Sequence, residues 1–301
     1  MIRKIFLAIL IFYSLIPAQG TGNSGVAFLK LGSGSRNIAM GDLGIVAGNE
    51  LNAVNYNPSI LSILNKTQLT FSHNSLIQDL HSELFGGSFS AFGIPLAVMI
   101  NTTSISDIEI RNIPGEAVSK FNANYFSAGL SGAIELLNDF HTGFTLKYLY
   151  ENLYSDEASG YALDFGITYT GIADGLTVGA SLRNMGSMNK LRNESTKLPK
   201  DFRLGASYSL NFSDMKFIVN LLGGYQKFLD ADDSHLHFGT EVNYDNFFFI
   251  RGGFITGYET KSVTTGFGIK LKSFNMDYAY VPFKYGLGDN HIITFIFSFN
   301  N

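Results

Sequence analysis

Ile293-Thr294-Phe295-Ile296-Phe297-Ser298-Phe299-Asn300, near the end of the chain, sets Ile293, Phe295, Phe297 and Phe299 on one face of an extended backbone. Thr294, Ser298 and Asn300 fall on the other. The same period of two recurs upstream. Phe144, Leu146, Tyr148 and Tyr150 alternate with Gly143, Thr145 and Lys147, and Tyr161, Leu163, Phe165, Ile167 and Tyr169 alternate with Ala162, Asp164, Gly166 and Thr168. Phe202 to Asn211 and Ser262 to Leu271 repeat the pattern. A soluble sandwich buries its apolar faces and shows charge to water. Here the polar faces are mostly Gly, Ser, Thr and Asn, the texture of a barrel with lipid outside and a polar interior.

Composition agrees. Charged residues make up 15% of the 301 residues, against about 25% in soluble domains, so much of the surface is expected to face lipid. Past the N-terminus no apolar run reaches the ~20 residues of a membrane helix, which leaves a closed barrel as the way to pair every amide within lipid. The 32 glycines and 42 phenylalanines and tyrosines (27 Phe, 15 Tyr) fit that solution, and the glycines read as residues of tightly packed strands. The chain has no cysteine, which excludes disulfides, thiolate metal sites, a thiol nucleophile and a lipoprotein anchor. A formal charge of −4 argues against nucleic acid as a partner.

Strands are expected near 66–74, 81–92, 94–103, 122–136, 139–152, 158–171, 174–184, 199–212, 214–227, 233–245, 246–257, 260–273, 274–283 and 288–300. The connections alternate between short and longer, as periplasmic turns and outer loops do, which places both mature termini in the periplasm. The expected fold is an all-β, membrane-spanning antiparallel barrel of about fourteen strands over residues 65–301. Residues 1–20 read as an export signal: Arg3 and Lys4, an apolar run from Ile5 to Ile16, then small residues around Ala18-Gln19-Gly20. Between them, residues 21–64 do not alternate. Their apolar side chains, among them Val26, Phe28, Ile38, Met40, Leu43, Ile45 and Val46, favour a plug packed inside the barrel.

Within that segment Gly34-Ser35-Arg36, Met40-Gly41, Asn52-Ala53 and Tyr56-Asn57-Pro58-Ser59-Ile60-Leu61 resemble the N-terminal signature of PorV/PorQ-type proteins, part of the FadL-like outer-membrane group. The match departs from the family pattern at Ser35, Asp42, Asn49-Glu50 and Ser59-Ile60. The resemblance implies an outer-membrane barrel that works in type IX protein secretion and cell-surface attachment, binding the C-terminal signals of secreted cargo. Its partners would be secretion components and cargo, with outer-membrane lipid and lipopolysaccharide around the barrel. The alternative it implies is a FadL-like channel for hydrophobic small molecules. Gly34, Arg36, Met40, Gly41, Asn57 and Pro58 are the motif residues, with Asn57-Pro58 opening a short helix that has proline in its first position.

No nucleophile elbow, phosphate loop or His-Glu-x-x-His pattern occurs, so no enzyme, cofactor or metal is expected. His235 and His237, beside Asp232 and Asp233, share one strand face and read as solvated polar residues rather than metal ligands. The inward charges Lys147, Asp164, Arg203, Glu241, Lys270 and Lys272 should pair across the barrel or anchor the plug. An arginine replacing Phe165 or Phe267 should harm assembly more than one replacing Thr168 or Gly268, because only the first pair faces lipid. The connection over 104–121, with Ile105, Ile108, Ile110, Ile113 and Val118, reads as the longest outer loop. Its apolar content makes Ile108, Ile110 and Ile113 a candidate partner surface.

Overall fold

A computed structural model describes residues 26–299 except 49, 65, 78 and 232; the expected export signal at 1–20 lies outside the described residues. The wall begins with β1 (Thr67–Ser75), β2 (Leu80–Ala91), β3 (Ile94–Ile110), β4 (Ser119–Leu137), β5 (Phe140–Leu153), β6 (Asp156–Tyr169) and β7 (Leu176–Met188). A separate hairpin, β8 (Lys190–Leu191) with β9 (Glu194–Ser195), precedes β10 (Asp201–Phe212). Then come β11 (Phe217–Phe228), β12 (Asp233–Tyr244), β13 (Phe248–Ile255), β14 (Val263–Leu271), β15 (Phe274–Pro282) and β16 (Asp289–Phe299). Fourteen of these strands form one closed antiparallel barrel, and β1 closes on β16 with Thr67 opposite Phe299. Closure leaves no strand edge, which is what lets the backbone cross lipid.

The alternation read from sequence becomes two faces. Phe165 and Phe267 point outward, 49% and 44% exposed, whereas Thr168 and Thr294 point inward at 1% and 0%. No helix among the described residues is long and apolar enough to cross a membrane. Tight connections sit at one end, and short polar residues make them possible: Asp245 and Asn246 both take left-handed backbone, at φ 52° and 51°. Outer-membrane barrels turn such ends to the periplasm. The opposite, outer end carries the longer connections.

The structure corrects the connection expected over 104–121. β3 runs on to Ile110 and β4 starts at Ser119, so residues 111–118 alone join them. Ile108 pairs with Phe121 and Ile110 with Ser119, beyond a bulge at which Asp107 has φ 58°. The cause is local: Ile108-Glu109-Ile110 keeps the period of two with β-branched residues, and such a sequence prolongs a strand rather than ending it. The longer outer connection is instead 189–200, which contains β8 and β9.

The described residues between 26 and 64 lie inside the barrel as a string of short helical turns: Ala27–Lys30, an α-helix at Ser35–Ala39, then Gly44–Val46, Leu51–Asn55 and Pro58–Ser62. Their apolar residues build the core with the inner wall. Met40, Leu43, Ile45, Val46 and Ile60 cluster with Leu222, and Leu51, Val54 and Leu61 cluster with Leu84, Ala97 and Met99. Ile38 and Ala39 meet Ala279, Val281 and Ile292.

Candidate functional site: the inner wall and the N-terminal segment

Every motif residue of the N-terminal segment except Gly34, which packs within the segment, meets the wall. Gly34 takes φ 76°, with Asn52 packed where a side chain would stand, and Gly41 takes φ 75° against the Phe238 carbonyl. Met40 is fully buried. Asn57 caps the last helical turn, with Pro58 in its first position, and its amide Oδ1 accepts from the Ser59 backbone N–H at 3.1 Å. The same amide's Nδ2 faces the carbonyls of Ile45 and Ile167, each at 3.1 Å, and so ties the turn to β6.

Two neutral charge networks cross the interior. In the first, Arg36 donates two hydrogen bonds to Glu241, at 2.8 and 2.9 Å. Arg251 donates to the same carboxylate at 2.6 Å and to Asp277 at 2.5 Å. In the second, Asp201 accepts from Arg183 and Arg203, both at 3.0 Å, and Arg203 reaches Asp42 of the N-terminal segment. Tyr56 donates to Asp42 at 2.5 Å and lies beneath the Arg203 guanidinium. Two cations meet two anions in each network, the condition under which buried charges are tolerated. Burial works against the Asp42 carboxylate, yet Arg203 holds it below the usual range; burial and Asp42 raise the Tyr56 hydroxyl well above its usual value. Among the described residues, Glu50 has no such partner. Burial and the Asp277 carboxylate push it up to about 7.

Of the inward charges named from sequence, Lys147 pairs with Asp164 at 2.5 Å, and Arg203 and Glu241 bind the segment. Lys270 stands at the short-turn rim, on Asn246, and Lys272 is exposed in the β14–β15 turn at φ 52°, so neither serves the networks. The histidines also differ from expectation. His235 and His237 are 1% and 2% exposed. His237 Nδ1 donates to the Gly41 carbonyl at 2.6 Å, and His235 donates to that of Thr256 at 3.0 Å and stacks on Tyr258. Asp232 lies outside the described residues. Sequence reading missed Arg183, Asp201, Arg251 and Asp277. A bulge at Asn184 turns two consecutive side chains, Arg183 and Asn184, inward and breaks the period that reading relied on.

The glycines need correction too. Gly143, Gly166, Gly205, Gly224, Gly239, Gly253 and Gly266 stand on seven different strands, with the N-terminal segment pressed against them. A Cβ at any of the seven would come within 3.0 Å of that segment. Three pairs lie directly opposite in register, Gly143 with Gly166, Gly205 with Gly224 and Gly239 with Gly253. These glycines are therefore a groove in the wall, and clearance for the segment is their role.

Fold and outward face together define an outer-membrane β-barrel, located in the bacterial outer membrane. The fold is shared with the toluene transporter TodX of Pseudomonas putida: TM-score 0.63 and 12% identity over 89% of this chain and 97% of that one. It is shared as well with a FadL homologue of Pseudomonas aeruginosa, with TM-score 0.51 and 9% identity over 89% and 98%. No curated protein matches the sequence. Residues 118–295, more than half of the chain, match the type IX secretion system membrane protein family PorP/SprF, and the chain belongs to that family. The residues that resemble PorV/PorQ, 34–61, lie outside the matched stretch.

Proposed function

We propose that residues 21–64 act as a plug in a barrel spanning 65–301, and that the protein serves type IX secretion by binding secreted cargo and delivering it to the cell surface, without catalysis. In this reading it is a docking component, with PorV/PorQ-like handling of cargo C-terminal signals, and it meets secretion components at its two ends. The observation that carries the reading is the occupied interior. Buried arginines, paired carboxylates and a glycine groove all hold one segment in the space that a transported compound would need.

The second reading, a channel for hydrophobic compounds, is favoured by the likeness in fold to TodX. Affinity purification of the tagged protein from outer membranes separates the two. Cargo bearing its C-terminal signal, or type IX components, should co-isolate. Recovery of neither, together with toluene uptake that depends on this protein, would establish the channel instead.

A further inference from the structure

Between the outer end of the N-terminal segment and the strand ends around it lies a cavity of about 320 Å3. Its size is at the lower end of the ~300–1,000 Å3 of small-ligand sites. Leu31, Ile38, Ile255 and Phe283 make much of its wall apolar, and the charges in that wall balance: Lys30 and Lys261 against Asp42 and Asp233. The lysines rest on aromatic rings, Phe228 at 4.8 Å and Tyr258 at 4.6 Å. Asp42 is held by Arg203 and Tyr56, and Asp233 lies 3.0 Å from His235. A charged guest would attract one pair of these groups and repel the other, so the wall as a whole favours a neutral one.

What the wall lacks is a hydrogen-bond donor. Asn74 and Asn290 line the cavity, 6% and 7% exposed, and the Oδ1 of each finds no partner among the described residues. A buried amide oxygen left without a donor is costly. The two amides stand on adjacent strands: Asn74 lies opposite Ile292 in the register of β1 with β16, and Asn290 is two residues from that position. Diagonal neighbours of this kind are about 7 Å apart, a spacing that two hydroxyls on one six-membered ring can bridge.

A hydrocarbon brings no donor to these amides. A fatty-acid carboxylate brings none either, and it carries a charge. A neutral sugar has hydroxyls that both donate and accept, together with C–H faces that suit Phe283 and the aliphatic side chains. We propose that this cavity binds one neutral hexopyranose unit, its hydroxyls donating to Asn74 and Asn290. The proposal goes beyond the export reading and does not depend on it.

The test is equilibrium dialysis of radiolabelled ligands against the full chain in a detergent that carries no sugar. The probes are the methyl α-glycosides of glucose, galactose and mannose, with glucuronate and 2-aminoethyl glucoside as rings that carry a charge of either sign. At least one methyl glycoside should bind at least ~10-fold more tightly than both charged sugars. Asn74→Leu and Asn290→Leu should each weaken that binding by a similar factor, and both variants should keep heat-modifiable migration in gels. No binding of any methyl glycoside would overturn the proposal and leave the cavity to water. Charged sugars held as tightly as neutral ones would overturn it too, as would binding of laurate or toluene without binding of sugar, which indicates an apolar site. Sugar affinity unchanged in both variants would refute this site. Cargo recovery is scored separately, so sugar binding without cargo, or cargo without sugar binding, tells against one reading and leaves the other standing.

Discussion

At Glu50 a buried carboxylate has no cation in contact among the described residues. Asn52 Nδ2 donates to it at 2.7 Å, Arg36 and Arg251 face it beyond ion-pair distance, and Asp277 repels it. Its pKa in the folded protein, about 7, is higher than the ~4.3 of an exposed glutamate. Between those two values the unfolded segment has lost the proton that the seated segment keeps, so stability falls as pH rises through the window and levels off above it. Asp42, held low by Arg203, acts in the opposite direction but only below its ordinary range, outside that window. Glu50→Gln should therefore lower the ratio of protection at pH 5 to protection at pH 8 for the amides of Leu51–Asn55, relative to the unmodified chain and after correction for intrinsic rates. An identical pH dependence in the two proteins would sink the assignment. Inward charges at regular spacing, such as Lys147 and Arg203, were legible in the sequence. Their partners were not, because Arg36 and Glu241 stand 205 residues apart and only strand register brings them together. The same limit affects the expectation that an arginine is tolerated at Thr168 or Gly268. Thr168 is bonded to Asn57 and Ser59, and a Cβ on Gly268 meets Asp277 and Arg251, so those positions are costly for reasons unrelated to lipid.

Among the elements, β13 offers a controlled comparison between its two faces. Gly252 points outward with nothing within 4 Å of a built Cβ, whereas a Cβ on Gly253 meets the Gly41 backbone. Gly252→Val should leave the protein assembled, since a β-branched residue suits a strand facing lipid. Gly253→Val should assemble the wall but unseat residues 34–47, seen as new cleavage by trypsin at Arg36. Cleavage at equal rates in the two variants would mean that the groove is not what seats the segment. The β3–β4 hairpin carries a second prediction. Ile113 and Val118 in its connection are 74% and 65% exposed, while Ile108 and Ile110 are half-buried in the paired strands. Changing Ile113 and Val118 together to Ser should spare folding and reduce recovery of cargo or machinery, because exposed apolar groups of this size mark contact surfaces. Changing Ile108 and Ile110 as well should loosen the hairpin itself. Undiminished recovery from the first pair would place the partner surface elsewhere. The strands were legible because the period of two persists through all of them and because polar turns such as Asp245-Asn246 interrupt it. The hairpin was misread as a loop because apolar residues near a turn look the same whether their amides are paired or free.

At the scale of the whole molecule, strand number constrains what the interior can be. Side chains alone fill a barrel of about eight strands, and one of 16–18 leaves an aqueous channel; fourteen lies between, so in the proposed plug reading the N-terminal segment decides whether a path exists. Its place inside was readable as a tendency, from apolar residues without alternation, but its seat depends on glycines scattered from 143 to 266 that no local pattern links. The seated segment has a cavity of about 250 Å3 on its short-turn side, lined by Arg36, Val46 and Ile63, and the 320 Å3 cavity on its outer side. In the plug reading, an ion crossing between them displaces groups tied by charge-assisted hydrogen bonds, the strongest of those available here. The protein reconstituted in a planar bilayer should therefore conduct little, and Gly253→Val should conduct steadily at the same protein density because its segment no longer fills the wall groove. Gly252→Val should match the unmodified protein. Steady conductance of equal size in all three would show a path past the seated segment, and the channel reading would then have to replace the plug.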